Sequence, residues 1–199
     1  MAFTFFFRDQ QALDMVVEHV IPALKTRRYI KIWDAGCAMG PEPYTFAILF
    51  RENMGHFLYR NVKIHATDID ESDFGTTIQR GVYSETELGR IPRDIFDKYF
   101  TPDGAPGYFQ ISQEIRESVC FERHDLTSLQ PVRTDFGLII CKNVLLHFSP
   151  EMRVQVIKMF HSALDVGGFF VTEQTQKLPP ELDDYFVQVT NKAQLFQKV

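Results

Sequence analysis

Ile30-Lys-Ile-Trp-Asp-Ala-Gly-Cys-Ala-Met-Gly-Pro-Glu-Pro-Tyr-Thr45 is the stretch that decides the fold. An apolar run, Tyr29 to Trp33, stops at Asp34. Small residues follow, with Gly36 and Gly40 among them, and then two prolines and the apolar segment Tyr44 to Phe50. The pattern is a buried strand feeding a tight turn that opens a helix. Glycines in such a turn let a ligand approach the backbone, and the first amides of the helix favour a polar or anionic group. Pro41 and Pro43 suit a first helical turn, where a missing N–H costs little. The spacing Gly36-x-x-x-Gly40 is neither the three-glycine dinucleotide fingerprint nor a phosphate loop, since no Lys-Ser/Thr follows. On this stretch alone, a nucleotide-like cofactor site and a purely structural turn are equally good readings.

Working outward, Asp9 is placed to cap a helix whose stripe is Leu13, Val16, Val17, Val20 and Leu24. The helix after the glycine turn is expected from about Pro43 to Met54. Val62 to Asp70 reads as a second strand with Asp68 at its carboxyl end, and a helix from about Glu71 to Arg80 is stopped by Gly81. An acid in that place can accept hydrogen bonds from both hydroxyls of a ribose. Ser84-x-x-Glu87 is a capping-box pattern, and a short helix follows Pro92. Tyr108 to Ser112 and Ser118 to Arg123 read as a small antiparallel hairpin, an inserted β subdomain over 101–124. Phe136 to Asn143 suits a central parallel strand buried on both faces. Ser149-Pro150 starts an amphipathic helix that Gly167-Gly168 should end, Phe169 to Thr175 is a strand, and Tyr185 to Val199 offers a final β segment. Alternating β and α units with a β-rich end specify an α/β, doubly wound, mostly parallel sheet over a single domain, 1–199. Ligands of such sheets sit beyond the carboxyl ends of the strands, where Asp34, Gly36, Asp68, Asp125 and Asn143 would gather.

Composition narrows the function. The 199 residues are 45% hydrophobic, enough for a full core, and carry a net charge of −5. That balance argues against a broad nucleic-acid face and against a polybasic membrane patch. Cys37, Cys120 and Cys141 lie far apart and read as reduced, buried thiols of a cytoplasmic protein. The six histidines show no metal-ligand spacing. The apolar start, Phe3 to Phe7, is too short for a signal peptide, and no run is long enough to span a bilayer.

Taken together, the motifs resemble the CheR family of chemotaxis receptor methyltransferases, which use S-adenosylmethionine. Thr4-Phe-Phe-Phe-Arg8 is similar to the family's Thr-x-Phe-Phe-Arg, and Asp34 to Thr45 to its Ser-Ala-Gly-Cys-Ala-Ser-Gly-Glu-Glu-Pro-Tyr-Ser. Ala66-Thr-Asp-Ile-Asp70 and Gly81-Val-Tyr83 match, as does Cys141-Lys-Asn-Val-Leu-Leu-His-Phe148 against Cys-Arg-Asn-Val-Leu-Ile-Tyr-Phe. The resemblance implies a Rossmann-like class I methyltransferase fold. It places Thr4 and Arg8 at the methionine end of the cofactor, with Arg8 on its carboxylate. Ala35 and Gly36 line the turn, Asp68 holds the ribose, Asp125 and Leu126 lie beside the adenine, and Lys142 and Asn143 lie near the site of transfer. The implied acceptor is a protein glutamate, already ionised at pH 7, so alignment and exclusion of water replace a strong base. The inserted hairpin matches the subdomain that docks receptor tails in some members.

Four departures bear on activity. Pro41 stands where the family has its first Glu, so an anchor is lost unless Glu42 substitutes. His147 replaces a Tyr beside the transfer site; a lone His here is equally a packing residue or a group that orients the acceptor. Asp125 replaces Asn, and Lys142 replaces Arg. The helical domain that precedes Thr-x-Phe-Phe-Arg in the family is not in this sequence. A non-catalytic cofactor-binding module and a small-molecule methyltransferase are therefore the alternative readings.

Overall fold

A computed structural model describes residues 4–69 and 72–199. Phe3, Asp70 and Glu71, which the sequence reading included in expected elements, lie outside the described residues. Among the described residues, ten strands form two sheets. In chain order they are β1 (Ile30–Ala35), β2 (Val62–Asp68), β3 (Val82–Ser84), β4 (Phe100–Pro102), β5 (Tyr108–Ile111), β6 (Val119–Arg123), β7 (Phe136–Ile140), β8 (Leu164–Val171), β9 (Phe186–Gln188) and β10 (Leu195–Lys198). The main sheet has seven strands in the order β6-β2-β1-β7-β8-β10-β9. Every pair from β6 to β8 is parallel, and β10 alone is reversed, pairing antiparallel with both β8 and β9. The order reverses between β1 and β7, which is the crevice where open α/β sheets bind ligands.

Both faces of this sheet are covered, which is why its central strands read as unbroken apolar runs. Ile32, Ile64, Leu138 and Ile140 pack on one face with residues of α1 (Gln10–Met15), α2 (Ile21–Leu24) and α3 (Pro41–Tyr59). Trp33, Ile139 and Phe170 pack on the other with Val156 and Phe160 of α8 (Pro150–Ala163). Trp33 Nε1 donates to Thr67 Oγ1 at 2.9 Å, so the one indole in the core carries no unpaired donor. Between α1 and α2 the chain makes a π-helical turn, Val16–Val20, just ahead of Pro22, which has no N–H to give the normal ladder. The Asp9 cap stands as expected, with Oδ1 accepting from Ala12 N at 3.4 Å. α3 begins at Pro41, two residues earlier than expected, and breaks at Gly55 (φ 73°, ψ 164°), next to the expected end at Met54.

A small antiparallel sheet is present, but its strands are not the expected pair. Tyr108–Ile111 lies between β3 and β4, and Ser118 to Arg123 does not pair with it. Val119–Arg123 is instead the edge strand of the main sheet, parallel to β2, and α7 (Gln113–Ser118) fills the charged tract between them. The capping box is present at α5 (Glu85–Leu88), and α4 (Phe74–Arg80) ends at Gly81 as read. α6 (Arg93–Tyr99) is the helix after Pro92. Gly167-Gly168 does not end α8. The helix stops at Ala163 and the two glycines lie inside β8, where Phe136 pairs with Leu164 and Leu138 with Phe169. Residues 165–168 therefore bulge from the ladder, and Gly167 takes the left-handed backbone (φ 69°) the bulge requires.

The segment before α1 is docked on the small sheet and on α3. Phe6 is fully buried, edge-on to Tyr83 (centroids 5.0 Å) and Phe100 (5.7 Å). Phe7 N donates to Thr45 Oγ1 at 3.0 Å, and that hydroxyl donates to Pro41 O at 2.7 Å. Phe6→Ala should cost about 3–5 kcal/mol, the range for emptying a buried aromatic site. Thermal unfolding measures it, and a loss under about 1 kcal/mol would mean that the segment is not held by this ring.

Candidate cofactor site

The turn after β1 is built for close approach. Gly36 N and Cys37 N both donate to Thr67 O, at 2.7 and 3.0 Å, folding the turn over the tip of β2. Asp68 Oδ2 accepts from Ala38 N at 2.9 Å, so the acid at the end of β2 pins the same turn. Gly36 has φ 105°, and a Cβ there would lie 2.2 Å from Val144 Cγ2. Only glycine fits between β1 and the loop after β7.

A cleft of about 200 Å³ opens beside this turn, at the carboxyl ends of β1, β2, β6 and β7. Of the expected residues, Gly36, Asp68, Asp125, Leu126 and His147 line it. Leu126 is buried, while Asp125 is exposed. Asp125 Oδ1 accepts from Thr127 N (2.8 Å) and Thr127 Oγ1 (2.7 Å), and these bonds hold its carboxyl below the usual range. His147 is exposed at the rim, and its ring makes no hydrogen bond among the described residues, so it is not the bonded packing residue that was one reading of it. Ala35 is buried in the α8-side core, leaving only its backbone for the turn.

The remaining expected residues form a second group across the tip of β1. Arg8 Nη2 donates to Asn143 Oδ1 at 3.1 Å, 135 residues apart in sequence. Thr4 is half-buried at the start of the same segment. Lys142 does not face the cleft. Its side chain is 1% exposed, and Nζ lies 3.3 Å from Glu42 Oε2 and 3.6 Å from Asp9 Oδ2, and donates to Arg8 O at 3.5 Å. It clamps the N-terminal segment and the start of α3 to the tip of β7. Glu42, buried against this ammonium, is likewise turned inward.

Sequence reasoning missed three groups. Glu173 receives Asn143 N and Thr172 Oγ1 on Oε2, both at 2.8 Å. It thereby holds Asn143 in its left-handed conformation, φ 60°. Its signal was the one that marked Asp68, an acid directly after an apolar strand. His124, beside Asp125 in the cleft, packs edge-on to Trp33. Asp34 is fully buried, and no donor reaches either of its oxygens. Burial, and then the neighbouring Glu42 carboxylate, push its pKa well above the usual range, against the pull of Lys142. Burial thus favours the neutral form of Asp34, which would carry a proton to donate toward Glu42. Of the cysteines, Cys37 and Cys141 are buried as read, with burial pushing both thiols up, whereas Cys120 is exposed. A larger cleft, about 860 Å³, runs along β6 beside α4 and holds none of the expected site residues.

The Gly36 cradle, the acid at the tip of β2 and the Arg8–Asn143 pair fit a ligand with a sugar and a carboxylate. Residues 2–195 match the CheR methyltransferase, SAM binding domain, family. A chemotaxis protein methyltransferase of Vibrio anguillarum is 30% identical over 92% of this chain and 67% of its own length. An uncharacterised 104.1 kDa protein in the hypE 3′ region of Rhodobacter capsulatus is 33% identical over 92% of this chain and 19% of its own. The chain thus spans about two thirds of the first relative and about a fifth of the second. A solved structure of PKMT2 from Rickettsia typhi in complex with AdoHcy is a distant likeness, 17% identical over 86% of this chain and 26% of that one, with a TM-score of 0.49.

The neutral state of Asp34 has a pH signature. Its folded pKa is raised, so its contribution is complete below the ordinary carboxylate range. It is lost as pH rises, because the unfolded chain sheds a proton that the folded chain still holds. Asp34→Asn keeps a donor toward Glu42 and cannot ionise. Denaturant titrations should show the wild type losing stability more steeply than the variant as pH rises above the ordinary carboxylate range. Parallel profiles would mean that Asp34 is ionised in the folded protein.

Proposed function

The chain belongs to the CheR methyltransferase family, and on that premise we propose that it transfers a methyl group from S-adenosylmethionine to a side-chain carboxylate of a protein. The observation that carries this reading is the pairing of Arg8 with Asn143 across the strand tip from the Gly36–Asp68 cleft. Asp68 would take the ribose hydroxyls, Leu126 and the Asp125 backbone would flank the base, and Arg8 would meet the carboxylate of the methionine portion. S-adenosylmethionine supplies the methyl group on a positively charged sulfur.

The chain's own part is orientation. Glu173 holds Asn143, Asn143 orders Arg8, and Lys142 fastens the backbone carbonyl of Arg8 and the carboxylate of Asp9. A carboxylate acceptor is ionised at neutral pH, so the site needs no strong base, consistent with an unbonded His147 at the rim that orients the acceptor. The Vibrio anguillarum relative's name, chemotaxis protein methyltransferase, favours a signalling protein as acceptor. The small sheet is the proposed docking element for that protein. A second reading, a cofactor-binding module without transfer, is favoured by the inward-turned Glu42, which leaves the acid replaced by Pro41 without an evident substitute.

Two measurements test the reading. Asp68→Asn keeps an acceptor for Ala38 N and removes the charge; calorimetry should show S-adenosylhomocysteine binding weakened about 10- to 100-fold, as for a lost charge-assisted hydrogen bond. Unchanged affinity would place the sugar elsewhere. Labelled S-adenosylmethionine should give base-labile methyl groups on protein in a cell extract. Cofactor binding with no such label would favour the non-catalytic module.

A further inference from the structure

The whole-chain charge conceals a local one. Residues 19–33 and 53–67 contain no Asp or Glu, although the chain has 26 acids. These two stretches meet at the amino ends of β1 and β2, the end of the sheet opposite the cofactor cleft. Ile30 N donates to Asn61 O and Asn61 N to Leu58 O, which brings Tyr29 against the turn that follows α3. The break at Gly55 leads into that turn. Phe57 is 79% exposed, Tyr29 64% and Leu58 39%.

Cations surround these side chains. The Arg28 guanidinium lies 5.4 Å from the Tyr29 ring centre. Lys25 and Arg60 are exposed and have no acid partner among the described residues. Arg27 pairs with Asp165 at 2.7 Å and donates to Val166 O, which adds the bulge of β8 and its 80% exposed Val166 to the same end. Lys31 lies 3.8 Å from Asp135, and His56 Nδ1 lies 2.6 Å from Glu114, which Arg51 also holds, so Asp165, Asp135 and Glu114 reach this surface and each is shared with a cation.

The apolar tips come from the end of α3 beyond Gly55, the residue before β1 and the bulge in β8, all at the amino ends of β1, β2 and β8. Strands lie about 4.8 Å apart, so these tips spread across roughly 15 Å of one end of the sheet. They are exposed, and none of the four lines the cleft of about 450 Å³ beside them, which Arg60 and His56 border together with Glu114. A peptide needs a groove, whereas exposed aromatic and aliphatic tips set among arginines and lysines suit a plane that is negative at its surface and apolar beneath it. We propose that the amino-end pole of the main sheet docks peripherally on an anionic lipid bilayer, with Phe57, Leu58 and Tyr29 entering the interface and the cofactor cleft facing away. No helix of the described residues is long and apolar enough to cross a membrane, and this contact requires none.

The test uses vesicles of equal parts phosphatidylglycerol and phosphatidylcholine against vesicles of phosphatidylcholine alone. The protein should sediment with the first and not the second, less so as salt is raised. Phe57→Ser and the double variant Arg28→Glu/Arg60→Glu should each reduce partitioning by about tenfold or more. Both should keep the melting-temperature rise given by S-adenosylhomocysteine, because neither touches the cofactor site. Trp33 is fully buried, so in Phe57→Trp the new indole reports the surface. Its emission should shift to the blue with anionic vesicles and be quenched by brominated acyl chains. No sedimentation with anionic vesicles, or equal sedimentation of wild type and variants, would overturn the proposal. So would binding of a soluble Glu-Tyr copolymer that depends on Phe57 and Arg28 when vesicles bind nothing, which would assign the surface to an acidic polypeptide.

Discussion

A buried ammonium holds the site together. Lys142 is at the tip of the central parallel strand, and its partners are Asp9 at the start of α1, Glu42 in the first turn of α3 and the backbone of Arg8. One cation thus joins three parts of the chain that are far apart in sequence. Such a cluster is weak evidence for added stability, because removing the charges from water costs nearly what their attraction returns. Its effect is positional. With Lys142 in place the Arg8 backbone cannot drift from β7, and the guanidinium is left to reach Asn143. Without it, Glu42 would be buried with no cation beside it, a state that typically costs 3–5 kcal/mol.

Around that clamp the local backbone is set in unusual conformations that neighbouring contacts over-determine. Phe7 and Asp9 have φ of 56° and 64°, and Asn143 has φ 60°. Each is beside a hydrogen bond that crosses between elements: Phe7 to Thr45, Asp9 to the first turn of α1, Asn143 to Glu173. Left-handed conformations in non-glycine residues cost of order 1–2 kcal/mol each and cluster where geometry serves function. On the far side of β1 the same logic appears as close packing, with Gly36 wedged under Val144. The two halves of the site differ in kind: one is apolar and cleft-like, the other a lattice of ion pairs.

How much of this was legible follows from the physics of each element. Parallel strands buried on both faces announce themselves as apolar runs with polar ends, so β1, β2 and β7 and the residues Asp68 and Asn143 could be read directly. The edge strand β6 could not. Val119-Cys-Phe-Glu-Arg123 is short and alternates with charge, as a hairpin strand would, and nothing local says that its partner is β2. Gly167-Gly168 looked like a helix stop because glycine pairs usually are, whereas here they serve a bulge in β8. Lys142 was placed at the site only by the family resemblance, and its partners in the structure lie a hundred or more residues away. Glu173 carried the signal that marked Asp68, an acid after an apolar strand, but nothing local says that it receives the Asn143 N–H thirty residues away.

Hydrogen exchange at the amides of residues 5–9 and 36–40, with and without saturating S-adenosylhomocysteine, tests the central claim most directly. If the cofactor lies across the strand tips between the N-terminal segment and the glycine turn, both segments should slow together on binding. Slowing confined to the walls of the larger cleft along β6, with residues 5–9 and 36–40 unchanged, would contradict the account.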